Sequence, residues 1–339
     1  MSQTELSSRA PGVITSIVNA GELRLESGEK IPDLQISFEC VGPADAPAVV
    51  VLGGISATRH AGSHEGDPSP GWWEPLVGPG KGLDTTQFRV VGIDFLGGNG
   101  QTSGPRNSDG WPRTVSPADQ ATCIARLMDQ LEITRLHHFV GASYGGMVAL
   151  EFARHFGERC KQAVVLGAAH RPTAMATALR CVQREAVRAC SDLGDSAAGL
   201  RLSRAIGMST YRSNREFEER FSRKPTPGQP VSFEVENYLF ARGHQFASEF
   251  HPDAYLTLST SIDLLDLEPE AVKLPVALLA FQDDFVAPPA LMRELNERLG
   301  GLSTLTELPT LYGHDAFLKE SIAVSQWLKN VLGNDAITE

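Results

Sequence analysis

The chain has 339 residues, of which 42% are hydrophobic, and it carries a formal net charge of −11 and five scattered cysteines. This acidic balance argues against nucleic acid or an anionic membrane as a partner, and no apolar run approaches the ~20 residues that span a bilayer. The first residues lack the basic and apolar segments of a secretory signal, and an odd number of cysteines without metal-ligand spacing indicates free thiols in a reducing cytoplasm.

The first third of the chain contains alternating strand and helix patterns. Residues 1–45 indicate an irregular or β-rich beginning, and Ala48–Leu52 is typical of a fully buried strand. A Gly/Pro-rich stretch at 60–85 predicts a surface loop, and the next strand is expected at 88–94. Apolar residues at helical spacing then predict a helix over 117–131.

Residues 141–145 read Gly-Ala-Ser-Tyr-Gly and fit the G-x-S-x-G nucleophile elbow. The apolar run 138–140 stands before this turn and the helix-forming run 147–154 follows it. The motif requires this strand–turn–helix context, in which the serine hydroxyl is exposed at the sheet edge. Ser143 is therefore a candidate nucleophile, and the alternative is an ordinary turn with a hydrogen-bonded serine.

The pattern changes after a strand expected at 162–167. From 172 to 265 helical patterns dominate and no buried strand is evident, and strand–helix alternation resumes after 272. Alternation of this kind implies a mostly parallel central sheet with helices on both faces. We therefore expect an α/β-hydrolase fold in which residues 1–171 and 266–339 form the core and 172–265 form a helical lid.

A nucleophilic serine needs a base and a carboxylate that orients the base. In hydrolase-type α/β proteins these follow the serine in the order acid, then histidine. The strand pattern at 276–281 leads into Asp283 and Asp284, and His314 lies in a loop that opens the final helix. The spacing to Pro288 favours Asp284 over Asp283 as the acid that orients the histidine.

No set of residues has the spacing of a metal site, so no metal ion is expected.

Several blocks together resemble the homoserine O-acyltransferase family of α/β-hydrolase-fold enzymes. The resemblance covers roughly residues 45–330 and is far more specific than the elbow alone. Its blocks are Gly71-Trp72-Trp73-Glu74, Gly78-Pro79-Gly80-Lys81 with Leu83-Asp84-Thr85, Leu96-Gly97-Gly98 with Thr102-Ser103-Gly104-Pro105, Ser143-Tyr144-Gly145-Gly146-Met147, Gln183-Arg184-Glu185-Ala186, Thr210-Tyr211-Arg212-Ser213, Val235-Glu236-Asn237-Tyr238-Leu239 and Gly313-His314-Asp315-Ala316-Phe317-Leu318.

The resemblance implies ping-pong transfer of an acyl group from acyl-CoA to Ser143 and then to the hydroxyl of L-homoserine. It places the activity in methionine biosynthesis, with acyl-CoA as co-substrate, no permanently bound cofactor and a homodimeric cytoplasmic protein. The backbone N–H of Tyr144 follows the nucleophile and should meet the oxyanion. The resemblance aligns Ile55 with the second oxyanion position.

The same resemblance assigns two residues to the amino-acid substrate. Arg212 would bind its carboxylate, since a guanidinium forks onto two oxygens, and Asp315 would meet its ammonium group. Arg59 lies four residues after Ile55 and offers a cation for the terminal carboxylate of a succinyl group. On this basis we expect succinyl-CoA rather than acetyl-CoA as the donor.

Other functions fit parts of the same pattern. Within the family, the donor could be acetyl-CoA or the acceptor L-serine. A plain serine esterase would need the same elbow and triad, and only the blocks in the helical lid favour a transferase. An interaction protein that keeps an inactive hydrolase fold is the alternative outside enzymes, and the complete Ser-Asp-His set argues against it.

Overall fold

The computed structural model describes residues 12–106, 111, 114–228 and 230–333, and its centre is an eight-stranded sheet. The strand order is β1-β4-β6-β5-β7-β8-β9-β10, and β2 and β3 form a separate two-stranded sheet. The strands are β1 (Val13–Asn19), β2 (Leu23–Arg24), β3 (Lys30–Ile31), β4 (Gln35–Val41), β5 (Ala48–Leu52), β6 (Arg89–Ile93), β7 (Leu136–Ala142), β8 (Cys160–Leu166), β9 (Val276–Phe281) and β10 (Ser303–Leu308).

The sheet is mostly parallel. From β6 to β10 every neighbouring pair runs parallel, whereas β4 is antiparallel to both β1 and β6. Every residue of β5 and β9 is buried, as expected for parallel strands that are covered on both faces. Because parallel strands end at the same edge, the segments after β5, β7 and β9 come together there.

Ten α-helices accompany the sheet in the described part of the chain. Five of them, α3 to α7, lie between β8 and β9 in the sequence, and we call them the helical insertion. The helices are α1 (Pro117–Gln130), α2 (Tyr144–His155), α3 (Ala174–Asp192), α4 (Ser196–Tyr211), α5 (Asn214–Arg220), α6 (Glu234–Glu249), α7 (Pro252–Asp263), α8 (Pro289–Arg298), α9 (Ala316–Lys319) and α10 (Ser321–Gly333). No helix among the described residues has both the length and the apolar character needed to cross a membrane.

Alternate side chains of each strand enter two different cores. Val50 and Leu52 belong to the core that contains α1, α2 and α8, whereas Val49 and Val51 belong to the core that contains α10. This alternation follows from the two-residue period of a strand. The sheet is therefore covered on both faces, which leaves the strand ends as its accessible polar edge.

The prediction of a surface loop at 60–85 is wrong for its second half. Trp73 is 1% exposed and belongs to the core on the α10 face, where its indole N–H donates to the Phe317 carbonyl at 2.8 Å. Leu76, Val77 and Leu83 are buried with it. This face of the sheet has apolar area that α10 does not cover, so the loop folds onto it. The loop is thereby joined to the segment that carries His314.

Candidate active site

Ser143 occupies a strained turn between β7 and α2. Its φ and ψ are 55° and −121°, a conformation that a non-glycine residue adopts at an energetic cost. The neighbouring glycines make the turn sterically possible. A Cβ atom at Gly145 would lie 2.5 Å from the Leu52 carbonyl oxygen, and one at Gly141 would lie 2.2 Å from the Gly145 carbonyl oxygen. The motif therefore allows the backbone of the turn to approach its neighbouring segments closely, and the serine side chain points outward from the turn.

A continuous hydrogen-bonded chain joins Ser143, His314 and Asp284. The serine Oγ lies 2.8 Å from His314 Nε2, and His314 Nδ1 lies 2.8 Å from Asp284 Oδ2. A carboxylate can only accept, so the Nδ1 atom carries a proton and Nε2 has a lone pair for the serine hydroxyl. This is the arrangement of a nucleophile, its general base and an orienting acid.

The turn after β9 separates the two candidate acids. Asp284 is buried, and its second oxygen, Oδ1, accepts the backbone N–H groups of Val286 and Ala287 at 2.7 and 2.9 Å. Asp283 is exposed and has a positive φ of 60°. The left-handed residue thus turns one carboxylate to solvent and the next toward the histidine. The structure brings Asp284 into the chain of hydrogen bonds and leaves Asp283 outside it.

The environment of His314 raises its pKa above the ordinary histidine value. Burial of the ring lowers the pKa, but the charge of Asp284 and its hydrogen bond to Nδ1 outweigh that effect. The imidazolium form is therefore stabilised, which suits a group that must hold the serine proton during a reaction. Because only the neutral ring can act as base, activity should be lost as pH falls through this raised pKa.

A cavity of about 190 Å³ opens onto the serine hydroxyl. Ile55 and Tyr144, the two candidate oxyanion residues, border it together with Ser143 and His314. The N–H groups in the first turn of a helix have no intrahelical acceptor, which leaves the N-terminus of α2 at Tyr144 as a source of donors. The remaining side chains of the wall are largely apolar, and three charged groups reach it: Arg180, Arg204 and Asp315.

Arg212 and Asp315 form a buried ion pair. Arg212 follows α4, and its Nε lies 2.8 Å from Asp315 Oδ2 while its Nη1 lies 2.6 Å from Glu216 Oε1. Asp315 borders the cavity, whereas Arg212 lies directly behind it. The Nη2 group of Arg212 makes no hydrogen bond within the described residues. The pair therefore offers the Asp315 carboxylate at the cavity wall and, next to it, guanidinium N–H groups of Arg212 that have no hydrogen-bond acceptor.

The structure places Arg59 away from the cavity wall, contrary to the role predicted for it. Its Nη1 donates to Asp94 Oδ2 at 2.8 Å and to Ser37 Oγ at 2.9 Å, and its backbone N–H donates to Asp94 Oδ1 at 2.8 Å. The cause is the buried Asp94 carboxylate at the end of β6, which is 1% exposed and needs a cation. Arg59 is thus a structural ion-pair partner and is not free for an acyl group.

Arg180 and Arg204 are the cationic residues that sequence reasoning missed. Arg180 lies on α3 one turn before the recognised Gln183-Arg184 block, and Arg204 lies on α4 two turns before Tyr211. The available signal is helical spacing, since Arg180 lies three residues before Gln183 and Arg204 lies seven before Tyr211, and residues at these spacings share a helix face. Which face meets the cavity depends on the packing of α3 and α4, and no motif encodes that packing.

Comparison with known proteins places the chain in one fold, among relatives named as O-acyltransferases. A family model described as alpha/beta hydrolase fold matches residues 47–321. The homoserine O-succinyltransferase of Xanthomonas campestris is 41% identical over 85% of this chain and 76% of that protein. The serine O-succinyltransferase of Litchfieldella anticariensis is 33% identical over 89% and 93%. The crystal structure of homoserine O-acetyltransferase from Staphylococcus aureus superposes with a TM-score of 0.83 at 26% identity, covering 96% of this chain and 97% of that one.

Proposed function

This chain belongs to the homoserine O-acyltransferase family of α/β-hydrolase-fold enzymes, and we propose that it transfers a succinyl group from succinyl-CoA to the hydroxyl of L-homoserine. The observation that carries the proposal is the Ser143–His314–Asp284 chain of hydrogen bonds, which opens onto a cavity bordered by both anionic and cationic side chains. The relative with 41% identity is named for the same reaction, which would serve methionine biosynthesis.

The first half-reaction would load the serine. Ser143 Oγ attacks the thioester carbonyl carbon while His314 Nε2 takes the hydroxyl proton. The negative charge that develops on the carbonyl oxygen is met by the backbone N–H groups of Ile55 and Tyr144. When the intermediate collapses, the C–S bond breaks and His314 returns the proton to the leaving CoA thiolate. The product is an ester between Ser143 and the acyl group.

The second half-reaction would use the same groups with the amino acid in place of CoA. His314 removes the proton from the homoserine hydroxyl, whose oxygen attacks the acyl-serine carbonyl. Collapse of this intermediate breaks the bond to Ser143, and the proton returns to the serine oxygen. Asp315 would receive the ammonium group of the amino acid, and Arg212, immediately behind it, would donate to the carboxylate.

The release of CoA thiol in the presence and absence of amino acids tests this proposal. Rapid release from succinyl-CoA that depends on homoserine is the expected result. Equal release without an amino acid would assign the chain to the hydrolases, because water would then be the acceptor. A higher kcat/KM with L-serine would instead assign the reaction named for the Litchfieldella relative.

The charges at the cavity favour a donor with a negatively charged tail. Arg180 donates to Asp263 Oδ1 through both Nε and Nη2, at 2.8 and 2.6 Å. Arg184 pairs with the other oxygen of the same carboxylate at 2.6 Å, so two buried cations share one anion. Arg204 forms no ion pair within the described residues and packs instead over Tyr211 and Phe246. A succinyl carboxylate would supply the missing negative charge.

We therefore expect Arg180→Gln and Arg204→Gln each to lower kcat/KM for succinyl-CoA by ~10- to 100-fold, the weight of a hydrogen bond to a charged group. Use of acetyl-CoA should change little, because an acetyl group has no carboxylate to bind. The ratio of the two kcat/KM values is the measurement, and Arg59→Gln is the matched control that leaves the ratio unchanged. A wild type that prefers acetyl-CoA, or a constant ratio in both variants, would contradict the assignment of the acyl group.

Replacement of Arg212 by lysine should impair the acceptor half-reaction selectively. A single ammonium cannot replace a planar guanidinium that donates to Glu216 through Nη1 and pairs with the charge of Asp315 on another edge. KM for homoserine is expected to rise by ~10-fold or more, while acylation of Ser143 in the absence of amino acid proceeds at the wild-type rate. Arg220→Lys is the control, since Arg220 also contacts Glu216 but is 43% exposed. A matching loss in acylation would show that Arg212 serves the donor or the fold.

The homodimer and the cytoplasmic location belong to the same proposal. Three exposed apolar side chains at and before α6 support an interface in this segment: Val231 is 62%, Phe233 41% and Phe240 36% exposed. All five cysteines are free thiols, which suits a reducing compartment.

A further inference from the structure

A cluster of titratable side chains outside the cavity surrounds His60. His60 lies in the loop after β5, and Glu39 lies on β4. The His60 Nδ1 atom is 3.0 Å from Glu39 Oε1, and the Nε2 atom is 2.8 Å from the Ser69 carbonyl oxygen. Neither a carboxylate nor a carbonyl oxygen can donate a hydrogen bond. Both ring nitrogens of His60 therefore face acceptors, and only the doubly protonated imidazolium satisfies both contacts.

We propose that His60 is a positioning residue whose imidazolium form fastens the loop that presents the Ile55 N–H to the oxyanion. The inference rests on the proposed function, because it concerns the acylation of Ser143. His60 would not touch the substrate. It would act through the backbone of residues 55–60.

The contacts of the loop show how a charge on His60 reaches the active site. The His60 carbonyl accepts the backbone N–H of Trp72 at 3.2 Å, and the Trp72 indole N–H donates to the Thr58 carbonyl at 3.0 Å. Both Trp72 and Ile55 border the cavity. Arg59 ties the same backbone to Asp94 at the end of β6. Residues 58–60 are thus fastened to β6 through Arg59 and to β4 through His60.

His64 approaches the same carboxylate, but its two ring nitrogens have different partners from those of His60. Its Nε2 lies 3.1 Å from Glu39 Oε2, and its Nδ1 accepts the backbone N–H groups of Gly66 and Asp67 at 3.1 and 3.2 Å. These two donors place the ring proton on Nε2, the atom that faces Glu39. A metal ligand would need a lone pair at that atom. Glu39, His60 and His64 lie close enough to hold a metal ion. Because His64 carries its proton on Nε2, however, this tautomer favours hydrogen bonding within the cluster over metal binding.

The charged groups around His60 favour its protonated form. Those that face the ring in the described structure are Glu39 from β4 and Asp67 from the loop, whose Oδ2 is 4.0 Å from Nδ1, together with the edge of the His64 ring. The guanidinium of the adjacent Arg59 is turned to Asp94. Burial lowers the pKa of His60, but the Ser69 carbonyl and the Glu39 carboxylate outweigh it and raise the pKa above its ordinary value.

The sign of the pH effect follows from this raised pKa. Below it the imidazolium donates to both acceptors and holds the loop. Above it the neutral ring keeps the proton on Nδ1, toward the charged Glu39 carboxylate, and the lone pair of Nε2 then faces the Ser69 carbonyl oxygen and repels it. Acylation should therefore decline as pH rises through the His60 pKa, on the opposite side of the profile from the loss caused by protonation of His314. The stabilisation of the folded chain by this contact should be lost in the same alkaline direction.

The test is the pH profile of Ser143 acylation without amino acid, which removes the titration of the acceptor's ammonium group. Succinyl-CoA and p-nitrophenyl acetate are used in parallel. His60→Gln should lower the acylation rate at the optimum by about 10-fold, a fraction of the 10²–10³ that losing an oxyanion donor costs, and should abolish the alkaline decline. His64→Gln is the matched control, because it removes a contact to the same carboxylate and should keep the decline.

Glu39→Gln provides a second variant that does not depend on His60→Gln folding. The amide keeps an acceptor oxygen but removes the charge that raises the His60 pKa, so the alkaline decline should move to lower pH. A decline that stays in place in both variants would overturn the proposal. Binding of one equivalent of Zn²⁺ by the wild type and not by His60→Gln would overturn it as well.

The two proposals fail in distinguishable ways. If succinyl-CoA does not acylate Ser143 but p-nitrophenyl acetate does, the proposed function is wrong and His60 is still tested with the ester. If both donors acylate the wild type and the alkaline decline survives in His60→Gln, only the role of His60 is wrong.

Discussion

Ser143→Ala and His314→Ala should each lower the rate of CoA release by about three or more orders of magnitude. The serine variant loses the only hydroxyl that lies 2.8 Å from His314 Nε2 among the described residues, and the histidine variant loses the base that accepts its proton. Because the two groups perform one proton transfer, the double variant should be scarcely slower than either single variant. Turnover at saturating succinyl-CoA and homoserine is the measurement.

A fluorophosphonate probe gives a direct control for this result. The probe should label the wild type at Ser143, should fail on Ser143→Ala and should label His314→Ala slowly. Thermal unfolding of the three proteins shows whether the fold is intact. Near-normal turnover by Ser143→Ala would eliminate the covalent mechanism, and an unlabelled, inactive wild type would favour the alternative of an interaction protein with a hydrolase fold.

Features that depend on short segments could be predicted from the sequence. The elbow at 141–145 is encoded by glycines that are needed within five residues of the serine. The sequence predicts the buried strand Val276–Phe281 with the bounds that it has in the structure, because a run of six apolar residues is typical of a parallel strand that is covered on both faces. The fold follows from such segments, since their alternation with helices leaves few topologies.

Features that depend on distant contacts could not be predicted in this way. The position of Arg59 shortly after Ile55 in the sequence predicts a contact with the acyl group, but Asp94, 35 residues away, holds the guanidinium. The Gly/Pro-rich composition around Trp73 predicts a surface loop, yet its indole N–H donates to a carbonyl 244 residues later in the chain. Arg180 and Arg204 border the cavity only because α3 and α4 pack with those faces inward. In each case a partner far along the chain decides where the side chain lies.

The two aspartates after β9 are the sharpest test of the site, because they are adjacent in sequence and differ in environment. We expect Asp284→Asn to lower kcat on the order of 10³- to 10⁴-fold, the cost of presenting the wrong histidine tautomer to the serine. The amide can donate a hydrogen bond to Nδ1, which would place the imidazole proton on Nε2 and remove the lone pair that faces Ser143 Oγ. Asp283→Asn should change kcat by less than about threefold, as for a surface substitution away from the site.

The pH dependence separates this mechanism from simple damage to the fold. Asp284 is the group whose charge and hydrogen bond raise the pKa of His314, so the acidic decline of Asp284→Asn should move to lower pH while its maximum falls. Asp283→Asn should retain the wild-type profile, because its carboxylate is exposed and forms no hydrogen bond to the histidine. The Asp284 carboxylate also accepts hydrogen bonds from the backbone N–H groups of Val286 and Ala287. Loss of activity in Asp284→Asn without a shift of the acidic decline would therefore point to a disturbed turn at these two residues. The reverse ranking of the two variants would exclude Asp284 as the orienting acid.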